Sequence, residues 1–321
     1  MSLSSSRPQP ALGLRLLLDR AGMLVVLLVL VVGCALTIEN FLTWVNLRGL
    51  ALAVSMSGMV ACTMLFCLAA GDFDLSIGST VACAGVIAAT VMNGPGGIAG
   101  GILAALVFGT LVGLINGWVV AQLGINALIA TLASMQIVRG LAFIVSDGSA
   151  VGIRHEAFFA LGNGTWLGVP VPVWITLGCF VVAGLVLERT VAGRNILAIG
   201  GNAEAARLAG IDVARLRVRI FAVQGAVAAL AGVILAARVT SGQPNTSQGF
   251  ELEVISACVL GGVSLTGGVG RIGFVVAGVL IMGVVQNAMN LLNVATFYQY
   301  VARGAILLAA VLYDRRKRQR G

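Results

Sequence analysis

Asp72 and Asp74 border an apolar run with no Lys or Arg near them in the chain. A carboxylate at such a place is costly unless it belongs to a path, a gate or a paired site. Asp74 also has a structural use, because it stands just before Leu75 and is placed to N-cap a helix beginning there; Ser76 adds a hydroxyl beside it. Asp72 has no local role of that kind. A second polar set, Gln286, Asn290 and Asn293, recurs at i, i+4 and i+7, with Asn287 alongside. Uncharged amides on one helical face exchange hydrogen bonds with the hydroxyls of a polar solute, or equally with a neighbouring helix. Arg139 and Arg303 lie inside apolar runs and must face protein or water rather than lipid, with partners the sequence does not name.

A third set is Gly200 to Ile211, a short polar stretch between long apolar runs. Asn202 suits an N-cap, Glu204 the positive N-terminal end and Gly210 a C-terminal stop, with Gly201, Ala205, Ala206, Arg207 and Leu208 completing two or three turns. It sits within Glu188 to Arg219, where Arg189, Arg194, Arg207, Arg215, Arg217 and Arg219 gather in a chain otherwise poor in charge. Such a helix is either a solvated connector or a rigid surface for another protein. Other chemistry is thinly provided for. His155 is the one histidine, which leaves no cluster for a histidine-based metal or triad site, and the sole lysine, Lys317, follows no Gly-rich loop, so the chain has no P-loop. The six cysteines, Cys34, Cys62, Cys67, Cys83, Cys179 and Cys258, lie in or beside apolar runs and read as small packing residues.

The elements that must carry these groups follow from composition. Over 321 residues, 59% are apolar and 10% charged, with a mean hydropathy of +1.03, which identifies an all-α polytopic membrane protein. The net charge of +8 is topological and implies no nucleic acid: its arginines fall in short segments between spans, without interleaved aromatics. Ten spans are expected, at about 21–38, 49–70, 75–92, 98–121, 125–145, 171–187, 220–237, 254–265, 273–292 and 295–313, preceded by a short amphipathic surface helix over 11–20. Fifteen of the 20 Lys and Arg then fall on one side, which puts both termini in the cytoplasm with 1–20, the loop 188–219 and the tail 314–321. The eighth span is too short to cross as one ideal helix and is expected to be broken. Gly101, Ala105, Gly109, Gly113 and Gly117, four apart, predict close helix packing. A weak likeness between Leu75-Ser76-Ile77-Gly78 and Leu265-Thr266-Gly267-Gly268 suggests duplicated halves.

Gly-Gly-Asn-x-x-Ala-Ala-x-x-x-Gly-Ile at 200–211 resembles the coupling-helix motif of permease subunits in ATP-binding-cassette sugar importers of the ribose, xylose and arabinose type. Gly71-Asp72-Phe73-Asp74-Leu75-Ser76-Ile77-Gly78-Ser79 resembles the same family's Gly-Gly-Ile-Asp-Leu-Ser-Val-Gly-Ser, with Asp72 where many members have Gly. Met56 to Cys62, Ile137 to Ala142, Thr240 to Pro244 and Ala288 to Asn293 are most similar to its arabinose members. The resemblance covers nearly the whole chain. It implies a single permease domain over 1–321 in a bacterial inner membrane that moves a pentose, L-arabinose first and ribose or xylose next. It further implies a cytoplasmic ATP-binding subunit docked on Gly201 to Gly210, a periplasmic sugar-binding protein, a second permease copy and surrounding lipid. Catalysis, metal and cofactor are absent from these implications, ATP being used by the partner. Asp72, Asp74, Ser76, Gln286, Asn287 and Asn290 are the expected path residues. The rival classes are a channel, which lacks its Asn-Pro-Ala or Thr-Val-Gly-Tyr-Gly signature here, and an ion-coupled carrier, for which Asp72 and Asp74 would serve.

Overall fold

The computed structural model describes the backbone of residues 12–319 and the side chains of residues 22–312. The extreme termini, and the basic side chains of 1–20 and 314–321, lie outside the described residues. The described residues form thirteen helices: α1 (Leu12–Thr37), α2 (Trp44–Ala69), α3 (Ile77–Asn93), α4 (Gly97–Gln122), α5 (Ala127–Val145), α6 (Glu156–Asn163), α7 (Val171–Arg189), α8 (Val191–Gly201), α9 (Ala203–Leu208), α10 (Val213–Val239), α11 (Phe250–Leu260), α12 (Ile272–Leu291) and α13 (Thr296–Gln319). Four two-residue strands accompany them: β1 (Val151–Gly152), β2 (Thr165–Trp166), β3 (Val169–Pro170) and β4 (Ser241–Gly242).

Among the described residues six helices, α2, α4, α5, α7, α10 and α12, are long and apolar enough to cross a membrane, and shorter apolar stretches lie in α1, α3 and α13. Their limits follow the hydropathy to within about two residues, with four differences. α2 begins at Trp44 rather than 49, and α13 runs to Gln319 rather than 313. The expected surface helix over 11–20 is continuous with the first span as α1. The seventh span begins seven residues earlier than its apolar run, because Asp212 caps α10 by accepting a hydrogen bond from the Arg215 amide at 3.0 Å. Arg215, Arg217 and Arg219 are therefore helical.

Packing centres on α10, which lies along α3 and α4 and against α2. The small-residue stripe explains how. A Cβ on Gly113 would sit 2.1 Å from the Phe221 carbonyl oxygen of α10, and one on Gly225 would sit 2.0 Å from the Gly109 oxygen. The two backbones touch, so neither side of this contact tolerates a methyl group. The interior is built of such small contacts and of sulfur: Cys62, Cys67 and Cys258 are fully buried in one cluster with Met59, Met64 and Leu68.

At one end the chain folds back on itself. β1 pairs antiparallel with β4, β2 with β3, and the Asn163 amide donates to the carbonyls of Ala237 and Arg238 at 3.2 Å each. These bonds tie the long segment 146–169 onto the ends of α3 and α10.

Candidate functional site

Between β4 and α11 the chain is not helical although apolar helices surround it. It descends along α3, from Gly242 beside Gly85 to Ser247 and Glu251 beside Gly78. α11 continues downward along α2, with Cys258 reaching the Ala61 carbonyl, and ends at Gly261 against Phe274 and Val275 of α12. Eleven residues make a helix of about 16 Å, half a bilayer, so in place of the span expected over 254–265 there is a short helix over Phe250–Leu260 preceded by turns.

Unwound backbone in such a setting needs hydrogen-bond partners, and of the two arginines without sequence partners one attends to this segment and the other to the helix that follows it. Arg139 of α5 donates through Nη1 to the carbonyls of Pro244 at 2.6 Å and Thr246 at 2.8 Å. Arg303 of α13 lies 3.8 Å from Glu253 of α11 and 5.3 Å from the Tyr300 ring centroid. Neither set of partners is visible in sequence spacing, since Arg139 and Pro244 are 105 residues apart.

A cavity of about 480 Å³ opens beside the held segment. Asn245, Ser247 and Gln248 line it from the non-helical segment, Phe250 and Glu253 from α11, Tyr300 and Arg303 from α13. Sequence reasoning missed this site. Its signal was the polar run Gln243 to Gln248 leading into a short apolar segment flanked by glycines.

The expected path residues are placed elsewhere. Asp72, in the α2–α3 connection, meets Arg217 of α10 at 3.0 Å, at an angle that makes no hydrogen bond. Burial pushes its carboxyl up to about 6, against the pull of Arg217. Asp74 does not cap a helix at Leu75, because α3 begins at Ile77. Its Oδ1 accepts instead from the Ser76 amide at 2.9 Å and hydroxyl at 2.6 Å, and Asn116 of α4 donates to the Ser76 hydroxyl at 2.9 Å. All three side chains are buried in a closed network. The amides of α12 join helices. Asn287 and Asn46 of α2 exchange hydrogen bonds at 2.7 and 3.0 Å, while Gln299 of α13 accepts from Gln286 and donates to Asn290 at 3.0 Å. The cross-helix reading of these amides is the one the geometry favours.

Within 200–211 the Asn202-capped helix forms, but as the six residues Ala203–Leu208, short of two turns, with Gly200 and Gly201 ending α8 instead. Asn202 Oδ1 accepts from the Ala205 amide at 2.9 Å, and Gly210 at φ +87° takes the left-handed stop that glycine adopts without strain. Glu204 and Arg207 pair at 2.7 Å on the exposed face, which holds the Glu204 carboxyl below its ordinary range. Leu208 is 79% exposed. Ala206 is buried and faces its own chain, so it supports the helix and offers no docking surface. The preceding α8 ends in a tight junction. A Cβ on Gly200 would lie 1.8 Å from the Ala69 carbonyl oxygen of α2 and 2.3 Å from the Gly268 amide, which itself donates to Ala69 at 2.9 Å. Gly71 and Thr266 also adjoin, so both glycine-rich interruptions meet beneath this helix.

Comparison with known proteins agrees with the motifs. Residues 46–311 match the family described as branched-chain amino acid transport system / permease component. The chain is 59% identical over 315 residues to the L-arabinose transport system permease protein AraH of Escherichia coli K12, covering 98% of this chain and 96% of the relative. It is 54% identical to the L-arabinose ABC transporter permease protein AraH of Azospirillum brasilense, with 94% and 89% covered. To the ribose import permease protein RbsC of Escherichia coli K12 it is 39% identical, with 92% and 93% covered. No solved structure matches.

Proposed function

We propose, from the premise that the chain belongs to the branched-chain amino acid transport system permease-component family, that it is the membrane-spanning subunit of an ATP-driven, binding-protein-dependent importer of L-arabinose. It is a translocation subunit and not an enzyme. ATP is hydrolysed by a separate cytoplasmic subunit, and the chain needs no cofactor of its own. A periplasmic binding protein delivers sugar to the outer face, where the folded segment 146–169 presents the exposed Trp166 and Leu167.

The chain occupies a bacterial inner membrane in ten crossings: the six long apolar helices, the shorter apolar stretches of α1, α3 and α13, and the half-length α11 completed by the non-helical segment before it. Both termini are then cytoplasmic, and 1–321 is one permease domain with 188–219 as its coupling loop. Two copies assemble to form the pathway, and the broken elements around 71–79 and 261–270 are the counterparts in two related halves. Gly201 to Gly210 couple to the ATPase, with Glu204, Ala205, Arg207 and Leu208 as the docking face and Ala206 as its inward support. Asp72, Asp74 and Ser76 belong to the inner end of the pathway as fixed structural groups. Gln286, Asn287 and Asn290 brace the helices around it.

The observation that carries this reading is the Asn202-capped helix, exposed on its outer face and wedged at its root between α2 and the 267–268 turn. An ion-coupled carrier gains nothing from the structure, because Asp72 is paired and Asp74 is enclosed. Vesicles containing the permease, its ATPase subunit and the binding protein test the reading directly. Labelled L-arabinose is expected to accumulate only with ATP inside and binding protein outside. Accumulation driven by an ion gradient without the ATPase overturns the importer assignment, and preference for D-ribose, D-xylose or L-leucine overturns the sugar.

A further inference from the structure

We infer that the cavity between the 243–249 segment, α11 and α13 is the place where the permease holds its cargo in transit, as a low-affinity site for a neutral polyol of aldopentose size. This rests on the importer reading above and assigns it a site. At about 480 Å³ the cavity falls within the roughly 300–1,000 Å³ of small-ligand sites. Its lining suits hydroxyl groups. Asn245 and Gln248 each offer an amide that both donates and accepts, and Ser247 a hydroxyl. Glu253 and Arg303 stand 3.8 Å apart, too far for a hydrogen bond, and the buried Arg303 Nε has no partner among the described residues. A pair of adjacent sugar hydroxyls can bridge that gap, donating to the carboxylate and accepting from the guanidinium.

The pair is already neutral as a unit, so an uncharged guest enters without leaving a charge uncompensated. Phe250 and Tyr300 give the lining aromatic carbon for the apolar side of a sugar ring, and among the described residues no aliphatic side chain lines the cavity to receive a branched one. The site also connects to the drive. α11 carries Glu253 at its upper end and leads below into the 267–268 turn that abuts Gly200, so a displaced coupling helix moves a wall of the cavity.

Two measurements on the full transporter in vesicles test this. Asn245 and Gln248 are exposed, so Asn245→Leu and Gln248→Leu leave folding intact. Loss of one such hydrogen bond is expected to lower ATP-driven L-arabinose uptake about tenfold, with stimulation of the ATPase by loaded binding protein unchanged. In the second, Ser247→Cys is made in a Cys179→Ala background, which removes the one described cysteine that is not buried. L-arabinose at tens of millimolar is expected to slow modification of the new thiol by a small water-soluble thiosulfonate at least threefold, and L-leucine is expected to have no effect. Unchanged uptake in both Leu variants, with no protection by L-arabinose in a wild type that transports, overturns the site and leaves the importer reading standing. Protection by L-leucine in place of the sugar overturns the polyol assignment. Failure of the wild type to accumulate sugar with ATP and binding protein overturns the importer reading and this inference with it.

Discussion

Asp72 is the one carboxylate in the 71–79 segment set against an arginine, and its environment shows what that placement does. The carboxylate is buried, and desolvation raises its pKa more than Arg217 lowers it, to about 6. An acid whose folded pKa lies above its ordinary 3.8 makes no demand on stability at low pH, where both states are protonated. The cost grows as pH rises from about 4 to 6 and is constant above that. Arg217 is 26% exposed and can be hydrated when its partner is neutral. Asp72→Asn is therefore expected to keep or raise the unfolding temperature in detergent at pH 7.5, and this advantage is expected to shrink at pH 4.5. Asp74 titrates in both proteins, so the difference isolates Asp72. A variant clearly less stable at pH 7.5 would show that the Arg217 attraction outweighs desolvation.

Among the elements, the α4–α10 contact makes the sharpest demand on sequence. Gly113→Ala places a methyl 2.1 Å from a backbone oxygen of a helix with no room to retreat, whereas Gly140 has nothing within 4 Å of its added Cβ. Gly113→Ala is expected to abolish monodisperse protein in size-exclusion chromatography. Gly140→Ala is expected to leave the profile intact and to add about 0.5–1 kcal/mol of helix stability. The fourfold glycine spacing announced this contact in the sequence, as the apolar runs announced the spans and Asn202 its helix, because each is a local pattern with a local physical cause. What was not legible is long-range. Arg139 binds carbonyls 105 and 107 residues away, and no spacing rule reaches that far. Nor could residue type separate amides that brace helices, as Gln286, Asn287 and Asn290 do, from amides that face a cavity, as Asn245 and Gln248 do. Ala206 had the right helix and the wrong face, because six residues are too few for apolar periodicity to fix an orientation.

For the whole molecule the question is how work done on a cytoplasmic surface reaches a cavity among the helices, and the contacts form a continuous route. α9 rests on α8; the Gly200 end of α8 is clamped between the C-terminus of α2 and the 267–268 turn; that turn follows α11, which bears Glu253. Backbone meets backbone at the clamp, without flexible side chains to absorb displacement, so the helix moves with the turn or the clamp breaks. Under the importer reading proposed above, the outer face of α9 is the surface through which the partner's force enters. The Glu204–Arg207 pair on it is solvent-exposed and contributes little to stability, but Leu208, 79% exposed on a polar loop, is an apolar contact awaiting a partner. Leu208→Glu leaves every internal contact of the chain in place, so expression and insertion are expected to match wild type. Docking is expected to weaken, with ATP-driven uptake falling at least tenfold and the ATPase no longer responding to loaded binding protein, read by uptake and hydrolysis in the same vesicles. Normal uptake with the ATPase still bound would mean that the stroke enters elsewhere, and that α9 is only a connector between α8 and α10.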